Sequence, residues 1–333
     1  MLFGKSKQAY YKRDLEHLSE ELAREAFALE FAMAVRQTDP GIGCANLWRI
    51  YLREFEGSCP LGRDRFVALL HENDMQLRHR QRGTRTTDSR YNLPLYPDLA
   101  KSFIPDAPNQ LWVSDITYIP IHIDCERKFC YLTTIMDAYS RKVMAYEVGD
   151  SLQTDHSLVC LKRAIANLGE NHSGLIHHSD RGVQYASLAY TSTLKSASIS
   201  ISMTQTGNPK DNAQAERINS TIKNELLRGI TFHSIEQVKT AIAQALEFYN
   251  NRRPHMSLGY QTPAQAYTQS GRQDEKWFSF RRKAIEAEAR QKDEQQKEKS
   301  NAKQADYTEK ILTSSPQRAS LRSTTSVQPL VGI

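Results

Sequence analysis

LWVSDITYI, residues 111–119, is the stretch that decides the fold. Its β-branched and aromatic residues predict a strand with Asp115 near the centre. Two further runs of similar composition follow at 129–136 and 143–148, and turns are expected at 120–124 and 138–141. The sequence therefore predicts three consecutive strands joined by hairpins.

Helical and strand patterns alternate after residue 150. Thr154 is the expected N-cap of a helix over 154–168, and a short strand at 175–178 follows. Ser234 and Gln237 have the spacing of a capping box at the start of a later helix. The remaining elements are predicted as helix, strand, helix and helix at 188–196, 199–203, 212–227 and 234–250. This order predicts an α/β fold in which helices flank a mixed sheet.

The first eighty residues have a helical pattern. Apolar residues recur at helical spacing over 15–37, at Leu18, Leu22, Ala26, Leu29 and Met33. Two shorter helices follow, separated by a break at 57–60. Two short helices joined by a turn resemble a helix-turn-helix DNA-binding unit, but any small helical domain has the same pattern. Both interpretations stay open from the sequence.

Changes in composition divide the chain into four regions. The helical, helix-turn-helix-like region covers 1–80, a basic linker with two prolines covers 81–105, and the strand-and-helix region covers 106–271. The tail, 272–333, alternates charged residues and then becomes rich in serine and threonine, a composition from which no core can be built. We expect it to form a charged helix that grades into disorder.

Arginine is concentrated in two places that are candidates for binding DNA. The net charge is only +6, so the distribution of charge is more informative than the total. The first group is Arg78, Arg80, Arg82 and Arg85, and the second is Arg252 and Arg253 with His255 close by. The guanidinium fork bonds phosphate oxygens bidentately, and neutralised phosphates release counterions. The alternative for the first group is a solvated linker.

Several classes of protein are disfavoured by composition. No window approaches the roughly 20 apolar residues that a membrane span requires, and residues 1–16 have no apolar signal-peptide region. The five cysteines are odd in number and form no CxxC pair, so neither a disulfide framework nor a zinc knuckle is indicated. The expected location is the cytoplasm, in association with the nucleoid.

Three carboxylates indicate a metal-dependent reaction on phosphodiesters. Asp180 follows Asp115 by 65 residues, and Glu216 follows Asp180 by 36. Asp115 and Asp180 are predicted on adjacent strands, while Glu216 lies on a helix with Lys223 about two turns further along the same face. Carboxylate oxygens without clustered thiols or imidazoles favour Mg²⁺, with Mn²⁺ as a substitute, and two such ions can drive an in-line phosphodiester displacement. Lys223 is predicted to contact DNA phosphate.

Each of these residues also has an ordinary structural interpretation. Asp115 fits an edge position, Asp180 fits a turn, and Glu216 fits any exposed helical surface. His177 and His178 precede Asp180 and would suit zinc, but we favour packing or substrate contacts for them. The conjunction of the three acids is what favours a metal site.

Four motifs resemble the catalytic domain of bacterial insertion-sequence transposases related to retroviral integrases. In order, they are WVSDITY, HHSDRGVQY, GNPKDNAQAE and YNNRRPHMSLGYQTPAQAY, and the resemblance covers about 106–271. It implies a ribonuclease-H-like fold with Asp115, Asp180 and Glu216 as the catalytic, metal-binding triad. It also implies polynucleotidyl transfer: Mg²⁺-dependent strand cleavage with water as the nucleophile, followed by strand transfer with the freed DNA 3′-hydroxyl as the nucleophile.

The resemblance has limits that leave alternatives open. The His/His/Cys/Cys zinc module that precedes this domain in retroviral integrases has no counterpart in the spacing here. In many such elements an upstream reading frame supplies a further DNA-binding region, so its product is an expected partner. DNA and, during end joining, further copies of the chain are the other expected partners. A nuclease that only hydrolyses and a non-catalytic DNA-binding protein are the alternative functions.

Overall fold

The computed structural model describes residues 15–55, 61–77, 96–123, 126–168, 174–205, 212–273, 282–295 and 297–299. Within these residues, one sheet is built from β1 (Leu111–Ile123), β2 (Glu126–Asp137), β3 (Val143–Gly149), β4 (Ile176–Ser179) and β5 (Ser200–Met203). The strand order is β3-β2-β1-β4-β5. The first three strands pair antiparallel, whereas β4 and β5 run parallel to β1. The predicted mixed sheet is therefore confirmed.

Helices flank this sheet on both faces. They are α1 (Leu15–Thr38), α2 (Cys44–Glu54), α3 (Arg63–Glu72), α4 (Thr154–Ala166), α5 (Val183–Ala186), α6 (Leu188–Ser196), α7 (Ala213–Thr221), α8 (Ile235–Asn251) and α9 (Pro263–Tyr267). A π-helical segment, Ile222–Leu226, continues α7 directly. No helix among the described residues is both long and apolar enough to cross a membrane.

The pleat of β1 separates two hydrophobic clusters. Val113 and Ile119 pack with α7, α8 and the N-terminal helices in one cluster. Trp112 and Ile116 point to the other face and pack with α4, α5 and α6. Because successive side chains of a strand alternate between faces, the odd-numbered Asp115 lies on the α7 side.

The helices α1, α2 and α3 pack into the same cluster as α7 and α8. Helix α1 has nearly the predicted bounds, but the predicted buried face is wrong: Leu22 is 58% exposed and Met33 is 51% exposed, while Ala28, Ala32 and Val35 are buried. Apolar residues occur on both sides of α1, so spacing alone does not choose between them. The small side chains allow the neighbouring helices to approach closely.

The chain divides into two compact units, Met1–Phe278 and Ser279–Ile333. The first unit holds the sheet and the nine helices named above. In the second unit, residues 282–295 are helical and none of their side chains is buried. The region boundaries at 80, 105 and 271 stay predictions.

Strand β1 continues through the position where we predicted a turn. Pro120 pairs with Phe129, and the strand ends at Ile123. The N–H of His122 points away from β2, because it donates to the carbonyl of Phe232 at 2.8 Å. Two residues earlier, the missing N–H of Pro120 is on that same free side, so the proline costs no ladder hydrogen bond.

Two predicted helix caps differ from those observed. Helix α4 begins at Thr154 itself, with Gln153 at the N-cap and no side-chain cap, so the prediction for Thr154 was wrong. The hydroxyl of Ser234 accepts the N–H of Gln237 at 3.2 Å, as predicted. The amide oxygen of Gln237, however, accepts the N–H of His233 at 2.8 Å, one residue earlier than a capping box requires.

Candidate active site

Asp115 and Asp180 lie side by side at the ends of parallel pairing between β1 and β4. Val113 is in register with His178, and each aspartate stands two residues further along its own chain. The pKa of Asp115 is raised to about 7, first by burial and then by the charge of Asp180. Burial also raises the pKa of Asp180. The two carboxylates therefore share a buried, electrostatically unfavourable position of the kind that marks functional sites.

Helix α7 supplies the second side of the site. The side-chain amide of Asn219 donates to Oδ2 of Asp115 at 2.8 Å. Glu216 lies three residues earlier on the same helix face, and its charge also raises the pKa of Asp115. The helix start is fixed to β1 as well, because the amide of Asn212 donates to the carbonyl of Ser114 at 3.0 Å. Sequence reasoning missed Asn219, although its spacing from Glu216 was visible.

The loop after β4 holds Asp180. The N–H of Gly182 donates to Oδ1 of Asp180 at 3.0 Å, which favours the ionised carboxylate. A Cβ on Gly182 would lie only 3.0 Å from that same oxygen, so the close approach suits glycine. The guanidinium of Arg181 donates to the carbonyl of Thr204 at 2.7 Å and to that of Gln205, which ties the loop to the end of β5.

Lys223 lies in the π-helical segment, within electrostatic reach of Asp115. Burial lowers the pKa of Lys223, and the charge of Asp115 opposes that shift. Glu216 and Lys223 are both within electrostatic reach of Asp115, and the helix changes from α to π between them. Single π-helical turns within α-helices occur frequently at functional sites.

The donor atoms of the site fit a hard divalent cation. Asp115 and Asp180 present buried carboxylate oxygens, and the charge of Asp180 raises the pKa of Asp115, so a cation would relieve the repulsion. Among the described residues, no three His, Cys, Asp or Glu side chains are close enough together to hold a metal ion. Glu216 is therefore near the pair without completing a three-ligand cluster in this conformation.

The two histidines before Asp180 are packed inside the sheet. Nε2 of His177 is 3.1 Å from the hydroxyl of Tyr190, and Nδ1 of His178 is 2.8 Å from the hydroxyl of Ser202. Burial lowers the pKa of His177 to about 3. Both imidazoles are only 1% exposed, which supports the packing interpretation over a zinc site.

The predicted DNA contacts near residue 253 have internal partners. Arg253 is 11% exposed and bonds both carboxylate oxygens of Glu225, at 2.6 and 2.9 Å. Nε2 of His255 is 3.1 Å from Arg253. This placement favours structural roles for Arg253 and His255. Arg252 is 47% exposed and pairs with Glu54. The other predicted contacts, Arg78, Arg80, Arg82 and Arg85, lie outside the described residues.

Comparison with known proteins identifies the family. Residues 105–209 and 197–263 match two families that are both described as integrase core domains. The chain is 32% identical over 266 residues to the insertion element IS600 uncharacterized 31 kDa protein of Shigella sonnei, covering 79% of this chain and 95% of that protein. It is 33% identical over 224 residues to the transposase for insertion sequence element IS629 of Shigella sonnei, covering 67% and 73%. The chain belongs to the family of insertion-sequence transposases with an integrase core domain.

The solved structures align less closely. The HTLV-2 integrase catalytic core domain in complex with magnesium is 20% identical and covers 48% of this chain and 97% of that one. Its TM-score is 0.37, which is too low to add to what the sequence relatives establish.

Proposed function

We propose that this chain catalyses Mg²⁺-dependent cleavage of DNA strands at the ends of an insertion sequence and the transfer of those ends to target DNA. The observation that carries the proposal is the placement of Asp115 on β1 beside Asp180, which directly follows β4, against a helix that carries Glu216. Proteins of this family function in transposition and DNA recombination. The chemistry and the residues below are proposed for this chain.

In this proposal Asp115, Asp180 and Glu216 hold the cation. When bound, a pair of divalent ions supplies a lowered pKa for the attacking hydroxyl and charge stabilisation for the leaving oxygen. Asn219 would orient Asp115 for the cation by donating to Oδ2, and the backbone N–H of Ile116 also bonds this carboxylate. Gly182 orients Asp180 in the same way through Oδ1. Glu216 lies close enough for its charge to raise the pKa of Asp115, and it is proposed as the third ligand.

Lys223 is proposed to contact a phosphate next to the reacting one. Its ammonium is partly withdrawn from water, so its attraction to a phosphate is stronger than at an open surface. The nucleophile is water in the cleavage step and the freed 3′-hydroxyl in the transfer step. Because two element ends are joined to one target, we propose that the active form contains more than one copy of the chain. The product of an upstream frame is proposed as a further partner.

The test uses labelled duplexes that carry the element's own ends, with Mg²⁺ as the cation. Joined products are expected from the wild-type chain and should fall to background in Asp115→Asn, Asp180→Asn and Glu216→Gln. The matched control is Asp155→Asn, which alters an exposed acid in the first turn of α4. Nicks without joined products would support a hydrolytic nuclease instead. Shifted bands without any cutting would support a DNA-binding protein without catalysis.

A further inference from the structure

A strip of aromatic side chains lies on the β1–β2 hairpin beyond the carboxylates. We call Tyr118, Phe129 and Tyr131 the aromatic strip. Tyr118 and Phe129 are each 41% exposed. The Tyr118 ring centroid lies 5.2 Å from that of Tyr131 and 6.2 Å from that of Phe129. The guanidinium of Arg127 lies over the ring of Phe129, at 5.3 Å from its centroid.

The strip lies on the face of the sheet that α4 covers only in part. Tyr118 pairs with Tyr131, and Pro120 pairs with Phe129, so these side chains share one face of the hairpin. Closer to the sheet centre that face is covered, where the hydroxyl of Thr133 is 3.3 Å from that of Ser157 in α4. On the opposite face Ile119, Ile121 and Cys130 are buried.

An open face of an antiparallel hairpin ordinarily carries polar side chains. Here the exposed positions are aromatic, and the rings do not stack on one another. The interplanar angle is 68° between Tyr118 and Tyr131 and 88° between Tyr118 and Phe129. Edge-to-face packing leaves ring surface available to a further flat group. Cross-strand support of the hairpin is the alternative explanation, and the experiment below separates the two.

The strip begins within electrostatic reach of the carboxylates. Tyr118 is three residues from Asp115 on the same strand, so the two side chains leave opposite faces of β1. The pKa of Tyr118 is raised by burial, by the neighbouring Tyr131, and by the charges of Asp180 and Asp115. From Tyr118 to the pairing position of Arg127 the hairpin extends four residues, which is about 13 Å. Pairing of β1 with β4 ends at Val113, so a DNA strand whose phosphate is at the carboxylates can pass this edge of β1 to reach the strip on the other face.

We infer that the aromatic strip binds unpaired nucleotides of the DNA strand that enters the candidate active site. Bases stack on the exposed rings of Tyr118 and Phe129, and Arg127 neutralises a phosphate of the same strand. Every base has a flat face, so such stacking tolerates any sequence, whereas paired bases in a duplex have their faces occupied. The strip thus favours a frayed end over a closed one. This inference rests on the proposed function, because it requires DNA at the carboxylates.

The experiment compares two labelled duplexes that carry the same element end. One is fully paired, and the other has three unpaired nucleotides at the terminus, with 2-aminopurine among them. Binding by the full-length chain is measured without Mg²⁺, so that no strand is cut. We expect the wild-type chain to bind the frayed duplex about tenfold more tightly, with 2-aminopurine fluorescence quenched by stacking.

Variants assign the effect to the strip. Tyr118→Leu should abolish the preference and the quenching, and Tyr118→Phe should keep both, because it keeps the ring. Phe129→Thr, which retains a strand-forming residue, should weaken both. The matched control is Phe27→Leu, since Phe27 is 42% exposed and also packs edge-to-face, against Phe55 in the helical region. Equal affinity for the two duplexes, or a preference that survives Tyr118→Leu, would overturn the inference.

Failure of this inference is distinct from failure of the proposed function. A wild-type chain that joins element ends with Mg²⁺ but shows no preference for frayed ends retains the proposed function and loses the inference. A chain that prefers frayed ends but never cuts them loses the proposed function. Thermal melting of each variant checks the alternative explanation: a purely structural strip predicts a lower melting temperature for Tyr118→Leu with an unchanged preference for frayed ends.

Discussion

Arg253→Met is expected to destabilise the protein by removing the guanidinium that neutralises Glu225 in a buried cluster of charges. The guanidinium bonds both oxygens of Glu225 and is 11% exposed. Asp39, with no exposed surface, lies beside the pair. Burial, followed by the charge of Glu225, raises the pKa of Asp39 to about 8, whereas the charge of Arg253 lowers it. Without Arg253, two acids would face each other away from water.

The magnitude follows from the burial of the pair. Removing one partner of a buried ion pair costs about 3–5 kcal/mol, chiefly because the other charge is left unpaired. The double variant Arg253→Met, Glu225→Met removes both charges and fills the space with apolar groups of similar volume. It should recover at least about 2 kcal/mol of the loss, since paired charges can be replaced by well-packed apolar residues at little cost.

Urea unfolding followed by tryptophan fluorescence measures both quantities. Trp48 lies in α2 and Trp112 in β1, so the signal samples the helical region and the sheet. The matched control is the neighbouring change Arg252→Met. Arg252 is 47% exposed in its ion pair with Glu54, and its loss should cost less than about 1 kcal/mol.

Two results would refute this reasoning. The first is a loss of stability in Arg253→Met no greater than that in Arg252→Met, which would mean that the buried pair contributes nothing beyond a surface pair. The second is a double variant no more stable than Arg253→Met, which would mean that an unpaired charge is not the source of the loss.

Three further predictions concern neighbouring residues. Asn219→Ala should lower strand transfer about 10–100-fold by freeing Asp115 to rotate, whereas Asn224→Ala, on an exposed contact with Ser220, should leave it unchanged. Gly41→Ala should cost about 1–3 kcal/mol in urea unfolding, because its Cβ would lie 2.4 Å from the backbone of Glu225; Gly43→Ala meets nothing within 4 Å and should be neutral. The folded pKa of Asp39, about 8, exceeds its ordinary value of 3.8, so the folded state retains a proton that the unfolded chain releases. Stability should therefore fall between about pH 4 and 8, by at most about 1.4 kcal/mol per pH unit from this group, and a slope unchanged in Asp39→Asn would contradict the assignment.

The sheet was predictable because its signals are local. Three β-rich runs marked β1, β2 and β3, and the strand that ends before Asp180 was predicted next to the one that carries Asp115, as observed for β4 and β1. The bounds of α6 were predicted without error, at 188–196. The metal site could be proposed from the sequence for the same reason, because the type, the spacing and the surrounding motif of each acid are properties of the sequence itself.

What the sequence did not reveal depends on contacts between distant segments. The end of β1 was missed because Pro120 breaks a strand only where its N–H is needed, and the free edge exists only in the folded sheet. Asn219 meets Asp115 across 104 residues of chain. Arg253 was predicted to bind phosphate from its place in a basic group of residues. Its partner in the folded chain, Glu225, lies 28 residues earlier, and the sequence does not show that the two meet. Charge in a sequence does not reveal whether a partner is already present.

The π-helical segment, Ile222–Leu226, makes this part of the chain sensitive to length. Lys223 and Glu225 are two residues apart but have different partners. Lys223 interacts with Asp115, and Glu225 forms an ion pair with Arg253. A π-helical turn holds one more residue than the α-helical turn it replaces. Deleting Asn224 would keep Lys223 and Glu225 but rotate all that follows by about 100°. Insertions and deletions are ordinarily tolerated between functional positions; here the count of residues is itself part of the site.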